Sequence, residues 1–409
     1  MAVLYGNAIV GQSGGPTAAI NATLSGVIRG AMEAKDIIGT LYGMRNGMEG
    51  LLAENFIDLT ARMQTEEDFT SLEATPSAAL GSCRLKLPSP EKERAIYEKV
   101  LSVFQKYNIR YFFYIGGNDS MDAVAKLSAF FQEKSYEVRI IGVPKTIDND
   151  LAGTDHSPGF GSAAKYIATT MKEILCDCAV YTIPAVTIVE IMGRDAGWLA
   201  TAAALPSLTG IGPDYIYLPE RAFSIPAFLE SLRRALALHP NVVVAISEGI
   251  RFEDGRYVSE GQQNGMLDAF GHKYLSGAGK TLEMLVKQEL KCKVRSIELN
   301  LPQRCASHLS SETDIKESVL IGKAAVKHAI EGSYGKMMAF LRQKGEPYSV
   351  DIAPIPVEEV ANAVRHVPDT YINKEGNGVT KECLDYLMPL IQGEAPCVYE
   401  CGMPKHFVF

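Results

Sequence analysis

The stretch Ile140–Asp150 reads IIGVPKTIDND. Ile140–Val143 is short, apolar and β-branched, and it stops at Pro144, the signature of a buried strand reaching its end. Polar residues follow at once: Lys145, Thr146, Asp148, Asn149 and Asp150. Helical periodicity then runs over Gly161–Leu175. Strand, polar loop and helix in that order form the repeating unit of an α/β protein with parallel strands. In open sheets of that kind, ligands bind outside the carboxyl ends of the strands.

Moving outward, the same unit recurs. Ala8–Val10 is followed by GQSGGP, Tyr111–Ile115 by GGNDS, Val186–Ile191 by MGRDAG and Val242–Ile246 by SEG. Helices are predicted at Ala18–Met32, Met121–Gln132, Asp195–Leu205, Lys280–Glu289 and Asp314–Ile330, and Lys344–Val357 is expected to be an extended connection. Five polar loops at five strand ends are a stronger signal than any one of them. No repeat of fixed period and no low-complexity tract is visible.

Composition agrees. The chain has 409 residues, 47% hydrophobic and 22% charged, which excludes a disordered chain and allows two large domains. The net charge of −8 argues against a duplex-binding surface, which needs surplus Lys and Arg, but not against a small anionic substrate in a locally basic pocket. The N-terminal residues Met1–Val10 show no basic, apolar leader. The uncharged run Ala196–Pro213 is broken by prolines and glycines and does not read as a membrane span. Eight cysteines without a C-x-x-C pair or nearby histidines read as reduced thiols of a cytoplasmic protein.

Each loop carries its own chemistry. Gly14-Gly15 suits either a phosphate held at a helix N-terminus or a tight turn, and it lacks the dinucleotide pattern G-x-G-x-x-G. Gly117, Asn118 and Asp119 form a second glycine-rich loop, with Ser120 expected to cap the next helix. In the third loop, a lysine beside two carboxylates can neutralise a migrating phosphoryl group, accept a hydroxyl proton and hold a divalent metal. Arg194, before the expected N-cap Asp195, suits a phosphate through its rigid donor fork. The single Trp198 reads as core packing, and Glu248 as an acceptor for sugar hydroxyls.

Together SGG, GGNDS, TIDND, EIMGRDAGWLA, SEG and Gln303-Arg304 resemble, in order and spacing, the 6-phosphofructokinase family over roughly residues 5–330. The resemblance implies two similar three-layer α/β/α domains with mainly parallel sheets and the active site between them. It places 1–160 with about 303–375 in a phosphoryl-donor domain, and 161–302 with about 376–409 in a sugar-phosphate domain. The implied reaction transfers a phosphoryl group to the 1-hydroxyl of fructose 6-phosphate. ATP-using members carry GGDGS and GTIDND; here Asp119 and Lys145 replace two small glycines, and Met48 stands where an aromatic ring near adenine is common. These positions resemble the family's pyrophosphate-dependent branch. A side chain at Asp119 crowds the place of an α-phosphate, and Lys145 adds charge where pyrophosphate would sit.

By the same resemblance Asp148 is the base. Lys145, Arg84, Gly14, Gly15, Gly117, Asn118 and Asp119 surround the donor, and Asp119 and Asp150 hold Mg²⁺. Thr146, Met192, Gly193, Arg194 and Glu248 hold the sugar, and Arg295 and Arg304 its 6-phosphate, Arg295 from a neighbouring subunit of a homodimer or homotetramer. Asn118, Ala185 and Leu301 depart from common family residues, which affects metal placement and the 6-phosphate pocket. Competing readings are an ATP-dependent 6-phosphofructokinase, a related sugar-phosphate kinase with another acceptor, a nucleotide or lipid kinase of the NAD-kinase-like group, and a non-catalytic sugar-phosphate-binding homologue. The NAD-kinase-like group leaves TIDND and MGRDAG unexplained, and the last would predict loss of Asp148.

Overall fold

All five apolar runs are strands in the computed structural model, which describes residues 3–83, 85–262 and 277–409. The strands are β1 (Gly6–Gln12), β2 (Ile38–Met44), β3 (Phe56–Asp58), β4 (Ile109–Gly116), β5 (Arg139–Pro144), β6 (Ala185–Ile191), β7 (Tyr215–Tyr217), β8 (Asn241–Ser247), β9 (Lys293–Glu298), β10 (Lys336–Arg342) and β11 (Val350–Pro356). They form a seven-stranded sheet, ordered β11-β10-β5-β4-β1-β2-β3, and a four-stranded sheet, ordered β7-β8-β6-β9. Within these two sheets every pairing is parallel except those of β3 and β11 at the two edges of the larger one, and Tyr399–Glu400 and Met403–Pro404 form a separate antiparallel pair.

Strict alternation sorts the side chains of these strands into two cores. Ala8, Val10, Tyr111, Phe113, Ile115, Ile141 and Val143 face the helices Ile20–Glu33 and Glu312–Ile330. Ile9, Phe112, Tyr114 and Ile140 face the helices Arg94–Lys106 and Asn118–Glu133 on the other side. The smaller sheet divides in the same way. Val189, Ile191, Val243 and Ala245 face Phe160–Cys178 and Trp198, and Val186, Ile188, Val242, Val244 and Ile246 face Ile225–Leu238 and Ala278–Leu290. Because both faces of each central strand are buried, the strands read as unbroken apolar runs. Both sheets are the middle layer of a three-layer α/β/α arrangement.

The helices Ile20–Glu33 and Glu312–Ile330 cross backbone to backbone. A Cβ at Gly26 would lie 2.1 Å from the Val319 carbonyl oxygen, and one at Gly322 would lie 2.3 Å from that of Thr23. This packing draws residues 312–330 onto the first lobe, where β10 then joins the sheet beside β5. Tyr386, Leu387 and Leu390 pack with Trp198 in the core of the second lobe, and Phe407 returns to the core of the first.

Three local expectations are corrected. Lys344–Val357 is not merely a connection: Val350–Pro356 is β11, antiparallel to β10. Its Pro354 and Pro356 masked a strand pattern, and prolines are tolerated because β11 is an edge strand. Ser120 does not cap its helix. The helix begins at Asn118 with Gly117 as N-cap, and the buried Ser120 Oγ would meet a Cβ on Gly116 at 1.9 Å. Asp195 is not an N-cap either; the helix starts at Trp198 after Gly197, and Asp195 pairs with Arg251. Trp198 is fully buried, as its expected core role requires, and all eight cysteines are unpaired. No helix among the described residues is long and apolar enough to cross a membrane.

Candidate active site

Strand order brings the polar loops together. From β1 the chain passes to β2 on one side and later to β4 and β5 on the other, so the GQSGGP and GGNDS loops flank a topological switch point with PKTIDND next in line. In the smaller sheet β6 lies between β8 and β9, which places the MGRDAG and SEG loops beside a second switch point. Main-chain bonds extend the ladders into the loops: Ser13 N–H to Ile115 O at 2.9 Å, Lys145 N–H to Gly116 O at 3.0 Å and Glu248 N–H to Ile191 O at 2.8 Å.

The two groups of loops enclose one cavity of about 460 Å³. Gly14, Gly15, Gly117, Asn118, Asp119, Lys145, Thr146, Asp148, Asp150, Met192, Arg194, Glu248 and Arg304 all line it. Gly193 lies just behind, donating its N–H to Glu248 Oε1 at 3.3 Å. Arg295 is not brought there. It lies on β9, the edge of the smaller sheet, where it shares a small pocket with Ala185 and Lys293. Arg84 lies outside the described residues.

At one end Lys145, 2% exposed, donates its ammonium to Gly15 O, and its Nζ would lie 3.5 Å from a Cβ on Gly14, whose φ is +75°. The glycine turn is therefore wrapped around a buried lysine. An Arg304 Nη1 lies 3.4 Å from where a Cβ on Gly15 would be, which puts a second cation at the same turn. Burial pulls the Lys145 ammonium down to about 8, opposed by the Asp148 carboxylate. Asp119 meets Lys86 at 3.3 Å. Met48 is fully buried in the first lobe's core and does not line the cavity, so no aromatic ring is offered from that position.

Asp148 sits between the two ends. Its main-chain N–H donates to Thr146 Oγ1 at 3.1 Å. Burial raises the Asp148 carboxyl, while Arg194 and Lys145 pull it back towards ionisation. Burial, with the charge of Asp148 beside it, pushes Asp150 up to about 7. At the far end burial pushes Glu248 up to about 8, only partly offset by the Gly193 N–H. Gln303, buried, accepts from Met192 N–H at 3.2 Å and so fixes the start of the MGR turn.

The donor set suits Mg²⁺. Asn118 Nδ2 donates to Asp150 Oδ2 at 3.3 Å, which leaves the buried Asn118 Oδ1 without a partner beside a carboxylate. No three acidic, histidine or cysteine side chains converge as a metal cage among the described residues. Mg²⁺ does not need one, since it commonly takes one or two carboxylates and completes its shell with substrate phosphates and water.

Sequence reasoning missed Lys86, Tyr114, Asn362 and Val364, which also line the cavity. Lys86 lies two residues past Arg84 in GSCRLK, and a lysine so close to a proposed donor-site arginine was the available signal. Asn362 and Val364 carried no signal; they arrive through an isolated bridge between Val364 and Leu151.

Residues 7–329 match the sequence profile of the phosphofructokinase family. The pyrophosphate–fructose 6-phosphate 1-phosphotransferase of Halomonas elongata is 41% identical over 402 residues, spanning 98% of this chain and 95% of the relative. That of Xanthomonas campestris pv. campestris is 43% identical over 408 residues, again 98% and 95%. The crystal structure of a pyrophosphate-dependent phosphofructokinase from Nitrosospira multiformis superposes with a TM-score of 0.88 at 36% identity, covering 98% of this chain and 96% of that one.

Proposed function

The chain belongs to the phosphofructokinase family, and from that membership we propose that it is a pyrophosphate-dependent 6-phosphofructokinase of glycolysis. It transfers a phosphoryl group from pyrophosphate to the 1-hydroxyl of fructose 6-phosphate, giving fructose 1,6-bisphosphate and phosphate. The observation that carries this reading is the donor end of the cavity. A buried lysine fills the glycine turn, a carboxylate stands at Asp119, and the buried Met48 offers no aromatic ring to the cavity.

Asp148 takes the proton from the sugar 1-hydroxyl as that oxygen bonds to the transferred phosphorus. The bridging P–O bond of pyrophosphate breaks, and its electron pair leaves with phosphate. Lys145 and Arg84 balance charge on the donor, and the Gly14, Gly15 and Gly117 turns let backbone approach it. Asp150, Asp119 and Asn118 Oδ1 would hold Mg²⁺, which supplies charge neutralisation for the phosphates when bound. Thr146, Met192, Gly193, Arg194 and Glu248 hold the sugar, and Arg304 reaches its 6-phosphate. Arg295, outside its own cavity and on an edge strand, serves the site of a neighbouring subunit, so the enzyme is at least a homodimer. Its eight free thiols suit the cytoplasm. The anhydride consumed and the ester formed are close in energy, so the reaction runs both ways.

A coupled assay with fructose 6-phosphate tests this. Turnover is expected with pyrophosphate and little or none with ATP, and comparable rates with the two donors would refute the donor assignment.

A further inference from the structure

The family profile ends at residue 329, yet two side chains beyond it grip the TIDND loop. Arg365 donates its main-chain N–H to Asp150 O at 2.8 Å and its Nη1 to Asn149 O at 3.2 Å. Its Nη2 donates to Tyr386 Oη at 3.4 Å. Tyr386 Oη also accepts from Asn149 Nδ2 at 3.0 Å and donates to Asp155 O at 2.7 Å. Asn149 is fully buried, holds a left-handed backbone at φ 55°, and accepts from Ser157 N–H at 3.0 Å.

The other side of Arg365 faces the second lobe. Its carbonyl accepts from Trp198 Nε1 at 2.8 Å, and its guanidinium lies 4.1 Å from the centroid of the Trp198 ring. Trp198 opens the helix that follows MGRDAG. Arg365 therefore touches both the loop that carries Asp148 and the helix anchoring the loop that carries Arg194.

We infer that Arg365, completed by Tyr386, is a positioning residue for phosphoryl transfer: it braces the base loop of one lobe against the acceptor loop of the other. Neither side chain lines the cavity. Asp148 and Asp150 flank a residue in a left-handed conformation, and the brace holds the peptide groups on either side of it. Misplacing a reacting group by about 1 Å can cost on the order of a hundred-fold in rate, so a support outside the cavity has kinetic consequences. The inference rests on the proposed role of Asp148 as base.

The test compares Arg365→Met, Tyr386→Phe, Arg365→Lys and Asp148→Asn in steady-state assays with pyrophosphate and fructose 6-phosphate, alongside thermal unfolding of each variant. Arg365→Met is expected to lower kcat by about ten- to a hundred-fold while both KM values stay within about three-fold, because ground-state contacts are intact. Arg365→Lys should recover part of the loss, and Arg365→Met combined with Tyr386→Phe should cost less than the two losses multiplied, since they share one hydrogen-bond group. Wild-type kcat in folded Arg365→Met overturns the brace, as does a lowered melting temperature with unchanged kcat. If Arg365→Met does not fold, Tyr386→Phe and Arg365→Lys decide by the same readout. Retained activity in Asp148→Asn refutes the base assignment instead, whatever Arg365 does.

Discussion

At the residue scale, the cavity's acids differ in the cations around them. Burial raises the Asp148 carboxyl, and Arg194 and Lys145 oppose that rise, towards the carboxylate a base requires. Asp148→Asn should lower kcat by about 10²–10⁴-fold with little change in KM, measured by steady-state kinetics. Glu248 lacks comparable cationic support; burial pushes it up to about 8, so it carries its proton at neutral pH. Glutamine resembles that neutral acid. Glu248→Gln should therefore keep KM for fructose 6-phosphate within about three-fold at pH 7, whereas Glu248→Ala, losing the hydrogen bonds, should raise it about ten-fold. As pH passes about 8 the wild-type carboxyl ionises and repels an anionic sugar phosphate, so its KM should rise while that of Glu248→Gln stays flat. A parallel rise in Glu248→Gln would place the titration elsewhere.

At the element scale, the helix Glu312–Ile330 is tied to the segment after TIDND by a buried ion cluster. His156 holds Asp155 through Nδ1 at 2.9 Å and Glu317 through Nε2 at 2.7 Å. Arg342 from β10 adds a bond to Asp155 at 3.1 Å, and Tyr348 one to Glu317 at 2.9 Å. Burial pulls the His156 imidazolium down, but the bonds to Asp155 and Glu317 outweigh it and the net direction is up. A histidine raised in the fold stabilises fully below its unfolded pKa of about 6.5, and that contribution drains away as pH rises through the folded value. Removing one partner of a buried ion cluster costs about 3–5 kcal/mol, so His156→Gln should destabilise by that order at pH 6. Urea unfolding should show the gap from wild type narrowing at alkaline pH; a gap that widens would reverse the assigned sign. The same helix shows how far a pattern can be read. Its apolar period predicted a helix at Asp314–Ile330, close to the observed bounds, but Gly26 and Gly322 revealed nothing of their mutual contact until the helices were placed.

For the whole molecule, the place of Arg295 is decisive. It lies on the exposed edge of the smaller sheet and outside the cavity lined by its own chain. If it completes a partner's site, Arg295→Ala and Asp148→Ala subunits, each nearly inactive alone, should regain activity when mixed. A hybrid dimer then has one site with both groups intact. Verified subunit exchange without recovery would remove Arg295 from the site of its neighbour.

The sequence by itself determined the local chemistry: five strands ending in polar loops, the α/β class, and the cation and carboxylates of PKTIDND. Those properties depend on side-chain type and on periods of a few residues, which a linear chain displays directly. Tertiary structure alone decided strand order, and with it that loops after β1, β4, β5, β6 and β8 share one cavity. It also decided that β11 pairs despite its prolines, that Ser120 packs under Gly116 instead of capping, and that Arg365 reaches Asn149 across 216 positions of sequence. The shifts that hold Glu248 protonated and weaken Lys145 as a cation come from the same source, because burial is a property of the assembled lobes and not of any one segment.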